Sequence, residues 1–453
     1  MNVNVSSYSG TSDQAPGKLA ATGEVGLTNR RTAQKSEPMK GAYFWLSVFF
    51  VVYCARPEDW IPGLRYIPLA KISGAFALLG LLMSLGGGKR DLRSLPREAY
   101  YLFSMVGLLL VSALFSPVWK GGAFSRSLDF SKILVVWVLT FLVVTTLARL
   151  RHIIFIQVAS VAVISLVSVA KGHSHPRLDG VLGGIYSNPN DLAFAIVLSL
   201  PFCLAFLVSA NMVLKKAAWV AGMLAMAVAL FLTASRAGFI TLVVAGAVSL
   251  WHVAIKGKRL YLLIAVGVIG LSIMAVAGGR VEDRFLAISG EGLNTQTENQ
   301  AYGSYQQRRT LMIKSLEAIE SYPIFGVGVH NFANYSGTWI EVHTAYLQIA
   351  VEGGIPVLIL YLLFFQRGFH NVKRVLRMQR DDETSLLAGA LHSSLVGFVV
   401  GALFAPEAYQ YFPYFAVAYT AVLLKISEQQ PEPKSGSLTA PGRITIWNRG
   451  TKS

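Results

Sequence analysis

A few positions in this chain carry residue types whose spacing could do chemistry. His343 stands just before an apolar run, and an imidazole at such an edge is well placed to take up a proton near neutral pH. Arg236 lies in Thr233-Ala234-Ser235-Arg236-Ala237-Gly238, between two apolar runs with almost no loop. Its planar fork of five donors matches phosphate oxygens. Arg308 and Arg309 open an amphipathic stretch, and at about 100° per residue Arg308 falls nearer the centre of the apolar stripe. Arg177 precedes Asn188-Pro189-Asn190-Asp191, where Asn188 is a natural N-cap and Pro189 a natural first helical residue. Such a helix start turns its backbone N–H groups outward and attracts phosphate. His330, in Gly326-Val327-Gly328-Val329-His330-Asn331-Phe332, and Glu352, in Glu352-Gly353-Gly354, are candidate supporting residues.

Each of these has a plainer reading beside it. Arg236, Arg308 and Arg309 could reach to lipid headgroups as anchors, Asn188 and Asn190 could merely start a helix, and His343 could be an ordinary residue at a helix start. On a straight helix Glu352 would sit half a turn away from His343 in angle and so would not orient it. The Gly326 and Gly328 pair follows a helical pattern rather than a strand, which disfavours a dinucleotide fingerprint. His173 and His175 lack a third ligand nearby, so neither a metal nor another cofactor is expected.

The elements that must position these groups are set by composition. Of 453 residues 53% are apolar and only 14% charged, with mean hydropathy +0.50. That excludes a soluble enzyme and describes a chain made for lipid. The formal charge of +16 would suggest nucleic acid if it formed one soluble face, but the Lys and Arg lie between apolar runs and so orient the chain in a membrane. Cys54 and Cys203 lie inside apolar segments, which argues against a disulfide or a thiolate metal site.

A hydrocarbon core needs about 20 helical residues, and about twelve stretches approach that length. They run near 42–55, 68–86, 98–116, 132–148, 152–170, 190–209, 217–234, 237–254, 259–278, 344–366, 385–404 and 411–426. The reading is therefore all-α: a polytopic bundle over 41–426 between disordered tails at 1–40 and 427–453. The larger share of Lys and Arg falls on the side of both termini, which places the termini in the cytoplasm and the opposite face outside. One outer loop, 279–343, is long. Tyr305 to Ser321 within it predicts an amphipathic helix with Leu311, Met312, Leu316 and Ile319 on one stripe. Lys71, Lys132, Asp191, Arg236, Glu352 and Glu407 all collect at outward helix ends, with His392 deeper. Ionisable groups so placed suggest a polar cavity open to the outer leaflet, where a headgroup is held while its tail stays in lipid.

Taken together, these stretches resemble the O-antigen ligase and O-antigen polymerase family of bacterial polysaccharide assembly, over roughly 177–365. The resemblance rests on Asn188-Pro189-Asn190, Ser235-Arg236, Arg308 ahead of Pro323, Gly326-Val327-Gly328 with Asn331-Phe332, His343-x-x-Tyr346-Leu347 and Glu352-x-Gly354. The family usually has Asn after the loop histidine and Trp in the loop helix, where this chain has Thr344 and Met312. The resemblance implies an inner-membrane glycosyltransferase with its site on the periplasmic face. Its donor would be an undecaprenyl pyrophosphate-linked glycan, and its acceptor a hydroxyl of lipid A-core, of another glycan or of a protein. Arg177, Asn188, Asn190 and Arg308 would bind the pyrophosphate, Arg236 would bind it and stabilise the charge that develops as it leaves, and His343 would take the acceptor's proton or position that hydroxyl for attack. A transporter of lipid-linked glycans is the rival reading.

Overall fold

The computed structural model describes residues 39–86, 95–171, 178, 185–186, 188–264, 267–268, 295–338 and 340–430. Both expected tails lie almost wholly outside these residues. So do Arg177, His173, His175 and most of the ninth expected span.

Every regular element among the described residues is helical. In chain order the helices are α1 Lys40–Ala55, the short α2 Pro57–Trp60, α3 Leu69–Gly86, α4 Arg97–Phe115, α5 Lys120–Val143, α6 Leu147–Lys171, α7 Pro189–Ser209, α8 Val213–Thr233, α9 Arg236–Leu250, α10 Thr295–Ser321, the short α11 Phe332–Tyr335, α12 Ala345–Gly353, α13 Ile355–Arg377, α14 Asp382–Gly401 and α15 Tyr411–Gln429. Among the described residues seven helical segments are long and apolar enough to cross a membrane: α4, α6, α7, α8, α9 with its continuation to Lys256, α13 and α14. Lys40–Ala55 and Leu69–Ser84 are apolar but shorter. Consecutive long helices run up and down, so the starts of α7, α9 and α13 share one end of the bundle with His343. The starts of α6, α8 and α14 share the other.

α7 is the axis of the packing, with nearly its whole length buried against α8, α9 and α14. Pro201 inside it lacks an N–H. Ser394 of α14 donates to the Leu198 carbonyl at 3.0 Å, so a neighbouring helix satisfies backbone beside the proline. Polar pairs cross the bundle at depth: Asn371 donates to Glu98 at 2.6 Å and Tyr419 to Gln157 at 2.7 Å.

Three expectations are corrected. The apolar stretch at 344–366 is not one helix but two, α12 and α13, meeting at Gly354 with φ 85° and ψ 171°. The carbonyls that the break exposes at Val351 and Glu352 accept from Val327 N at 2.8 Å and Gly328 N at 3.0 Å, and Ile355 N donates to Pro323 O at 2.8 Å. The helix that carries the fourth expected span starts at Lys120 rather than near 132, because Arg126, Asp129 and Lys132 are exposed and prolong it past its apolar part. In α10 the buried stripe is Leu311, Ser315 and Ala318, while Met312, Leu316 and Ile313 are exposed. Small Ser315 and Ala318 let α10 come close to α12. The apolar side chains left outside suit a helix lying along a membrane surface, where lipid rather than protein covers them.

Candidate functional site

Two helix starts form the first half of the site. At α7, Asn188 caps the helix by accepting from Asn190 N at 2.9 Å, with Pro189 next, as the local sequence dictates. At α9, Ala234 turns the chain with φ 48°, and Ser235 caps by accepting from Gly238 N at 3.1 Å. Gly238 is obligatory for close approach, since a Cβ there would stand 2.8 Å from Ala193 of α7. The two starts are joined: Ser235 Oγ donates to Asn190 Oδ1 at 2.8 Å. Arg236 is the first residue of α9 and is exposed at this junction. Leu178, the neighbour of Arg177, is buried and donates its N–H to Leu232 O at 2.9 Å.

The second half comes from the segment between α10 and α12. Gly326 and Gly328 have φ 65° and 95°, and a Cβ at Gly326 would stand 2.4 Å from the Val351 carbonyl. These glycines let the chain run against the end of α12 and tie down the backbone of Glu352. Asn331 fastens the same segment to the α4–α5 turn, donating to Ser116 Oγ at 2.8 Å and Trp119 O at 3.1 Å. Thr344 caps α12 by accepting from Leu347 N at 3.3 Å. Thr344 thus supplies the capping side chain ahead of α12.

His343 is half-buried just before that cap, with its Nδ1 buried and the Glu341 backbone beside its ring. Burial and then the Arg308 guanidinium lower its pKa below the ordinary 6.5, against a weaker opposite pull from Glu341. Near neutral pH it is a neutral imidazole with a nitrogen able to accept. Of the two arginines of α10, Arg308 is the one whose charge is felt at His343.

His330 is different. It sits at φ 55°, and its Nδ1 lies 2.6 Å from Glu341 Oε1. Burial pushes its pKa down, but the bond to Glu341 and the nearby Glu352 carry it above the ordinary value, and Glu341 is lowered in turn. The bond favours the charged form of both partners and braces the loop. Glu352 is buried and faces His330 and Tyr409 rather than His343.

Glu407, in the turn after α14, is buried against Asp191 of α7, with a cavity of about 10 Å³, room for one water, beside them. Burial and then the facing Asp191 carboxylate push the Glu407 pKa well up, toward its protonated form. Asp191 and Glu407 both feel Glu341, which in turn faces His343, so the helix starts and the loop form one continuous polar surface. Asn190, Asp191, Ser235, Arg236, Arg308, His330, Glu341, His343 and Glu352 thus collect at one end of the bundle. His392 of α14 is not among them: its Nδ1 lies 3.0 Å from Nε2 of His252 in the continuation of α9.

The sequence reading missed Glu341, Tyr409 and Arg126. Arg126 acts electrostatically on both His330 and Glu341. Its charged i, i+3, i+6 spacing with Asp129 and Lys132 was a usable sign that the helix began earlier. Glu341 carries no local signal. Among the described residues no group of three or more His, Cys, Asp or Glu is placed to hold a metal ion.

No curated protein matches the chain. Residues 221–362 match the family model described as O-Antigen ligase. That segment runs from within α8 to within α13, and it contains Ser235, Arg236, Arg308, His330, Glu341, His343 and Glu352 while leaving out the start of α7. Its apolar helices and this match together make the chain a multi-pass membrane protein whose segment 221–362 bears the O-antigen ligase family pattern.

Proposed function

We propose that the chain transfers a glycan from an undecaprenyl pyrophosphate carrier to an acceptor hydroxyl, as an O-antigen ligase-like glycosyltransferase of the bacterial inner membrane. Both termini are cytoplasmic and the site periplasmic in this reading. The observation that carries it is the pairing of a neutral, half-buried His343 with the Arg308 charge at the same bundle end as Arg236 and two joined helix starts.

In the transfer, the bond between the anomeric carbon and the pyrophosphate oxygen breaks and a bond to the acceptor oxygen forms. The acceptor's proton passes to His343, and the pyrophosphate leaves as an anion held by Arg236 and Arg308, with the α7 and α9 starts and Arg177 contributing. Two of the acids oppose this less than free carboxylates would: Glu341 is paired with His330, and burial against Asp191 favours the protonated form of Glu407. Guanidinium forks can neutralise a pyrophosphate leaving group without a bridging cation, so the reaction proceeds without a divalent metal.

The test is reconstitution with an undecaprenyl pyrophosphate glycan and separate acceptors: lipid A-core, a second carrier-linked glycan, and a Ser- or Thr-bearing protein. Release of carrier pyrophosphate with one acceptor, undiminished after exhaustive chelation, is expected, and the productive acceptor identifies ligase, polymerase or protein-glycosylating activity. Movement of the intact donor across the bilayer without release would establish the transporter reading instead. Loss of transfer on chelation, restored by magnesium or manganese, would overturn the metal-free mechanism.

A further inference from the structure

At the opposite end of the bundle from His343, a cavity of about 1140 Å³ opens sideways between α6, α7, α8 and the start of α14. Its wall is aromatic: Phe206 stacks on Trp219 at 5.0 Å and Phe155 meets the same Trp219 edge-on at 5.6 Å. Its depth is made by small residues, because Gly222 stands where a side chain would otherwise face Ala162. In a membrane such a lateral opening between spanning helices is filled by an acyl chain, since water is excluded there and an empty apolar slot forfeits packing.

The rim carries charge of both signs, but not equally. Arg151 is engaged by Glu383 at 2.9 Å. That leaves Lys215 and Arg259 against Asp382 around the opening, a surplus of one positive charge. A lipid with one net negative charge on its phosphate neutralises that surplus, whereas a zwitterionic headgroup does not. Trp219 belongs to the same arrangement, an amphipathic ring at the level where the headgroup meets the chains.

We propose that this cavity is a binding site for one anionic phospholipid, its phosphate between Lys215 and Arg259 and an acyl chain against Trp219, Phe206 and Phe155. The site stands on the cavity and its rim and is independent of the transfer reaction at the other end.

Native mass spectrometry of the full chain, purified in detergent and given equal phosphatidylglycerol and phosphatidylethanolamine, tests it. The wild type should retain one phosphatidylglycerol in preference to phosphatidylethanolamine. The double variant Lys215→Gln with Arg259→Gln should lose roughly 30-fold in that preference, as expected for two cations at a membrane surface. Gly222→Leu, which fills the slot, should lose both lipids, while Lys216→Gln, outside the lining, should behave as wild type. Circular dichroism and a monodisperse elution profile report that each variant is folded. Equal retention of the two lipids, or a phosphatidylglycerol preference unchanged in the double variant, overturns the proposal. So does retention unchanged in a folded Gly222→Leu.

Discussion

Ser235 Oγ donates to Asn190 Oδ1 at 2.8 Å, so the start of α9 is fastened to the start of α7 across 45 positions of sequence. Two backbone ends that favour anions, each with its own cap, are thereby held side by side under Arg236.

Asn190→Asp keeps the oxygen that Ser235 needs and adds an acid to a helix start, where acids stabilise by a few tenths to about 1 kcal/mol. Thermal stability should be unchanged or higher. If this end binds pyrophosphate, the new charge repels the donor, and the donor KM should rise about tenfold or more. A normal KM in a normally inserted Asn190→Asp protein would reduce the α7 start to a cap.

Arg236→Lys retains charge at an exposed first turn, so protein level and insertion should match wild type. Losing the fork removes a charge-assisted hydrogen bond worth roughly 1.5 to 3 kcal/mol, a ten- to hundredfold fall in transfer per inserted molecule if the loss is in the transition state. Lys216→Arg, at the other end of the bundle, is the control. Transfer at the wild-type rate would make Arg236 a headgroup anchor.

Transfer should depend on pH through His343, which works as the neutral ring. Because burial and Arg308 hold its pKa below 6.5, the wild-type rate should be full at neutral pH and decline only below that value. Removing a nearby cation favours the protonated ring, so Arg308→Gln should move the acid limb to higher pH, besides lowering the rate. The pH profile separates the two effects. An acid limb that stays in place would show that the Arg308 charge does not act on His343.

Gly354 occupies a conformation that only glycine adopts readily, and a Cβ there would stand 2.2 Å from the Ile324 carbonyl. Gly354→Ala should cost on the order of 3 kcal/mol or more and lower the melting temperature and yield. Gly337→Ala, at φ 66° with open space around it, should cost only about 1 to 2 kcal/mol. Comparable melting temperatures for the two would argue against the tie between the Gly326–Gly328 segment and α12.

Single cysteines at Asn211 and Asn334 should react from opposite sides of intact membrane, Asn334 from the periplasm. Cys54 and Cys203 are buried and give little background. Labelling of both positions from one side would overturn the orientation and the periplasmic site with it.

The sequence by itself determined what depends on near neighbours along the chain. Apolar runs of spanning length made the chain a helical membrane bundle, and Asn188-Pro189 and Ser235 fixed the starts of α7 and α9, because caps are satisfied within three residues. It also brought Arg308 and His343 forward separately, each by its own local setting, and their electrostatic link comes from the fold.

What it could not decide is which apolar face meets protein and which meets lipid, since both solvents accept the same side chains. Leu311, Ser315 and Ala318 rather than Met312 and Leu316 turn inward for that reason. The break at Gly354 was marked locally by Gly353-Gly354 and Pro356 within the apolar run, but the donors that satisfy Val351 and Glu352 come from Val327 and Gly328, distant in sequence. Glu341 became the link between His330 and His343, and Glu407 the neighbour of Asp191, by chain folding alone. A buried charge is tolerated where another part of the chain answers it, and only the tertiary structure says which part that is.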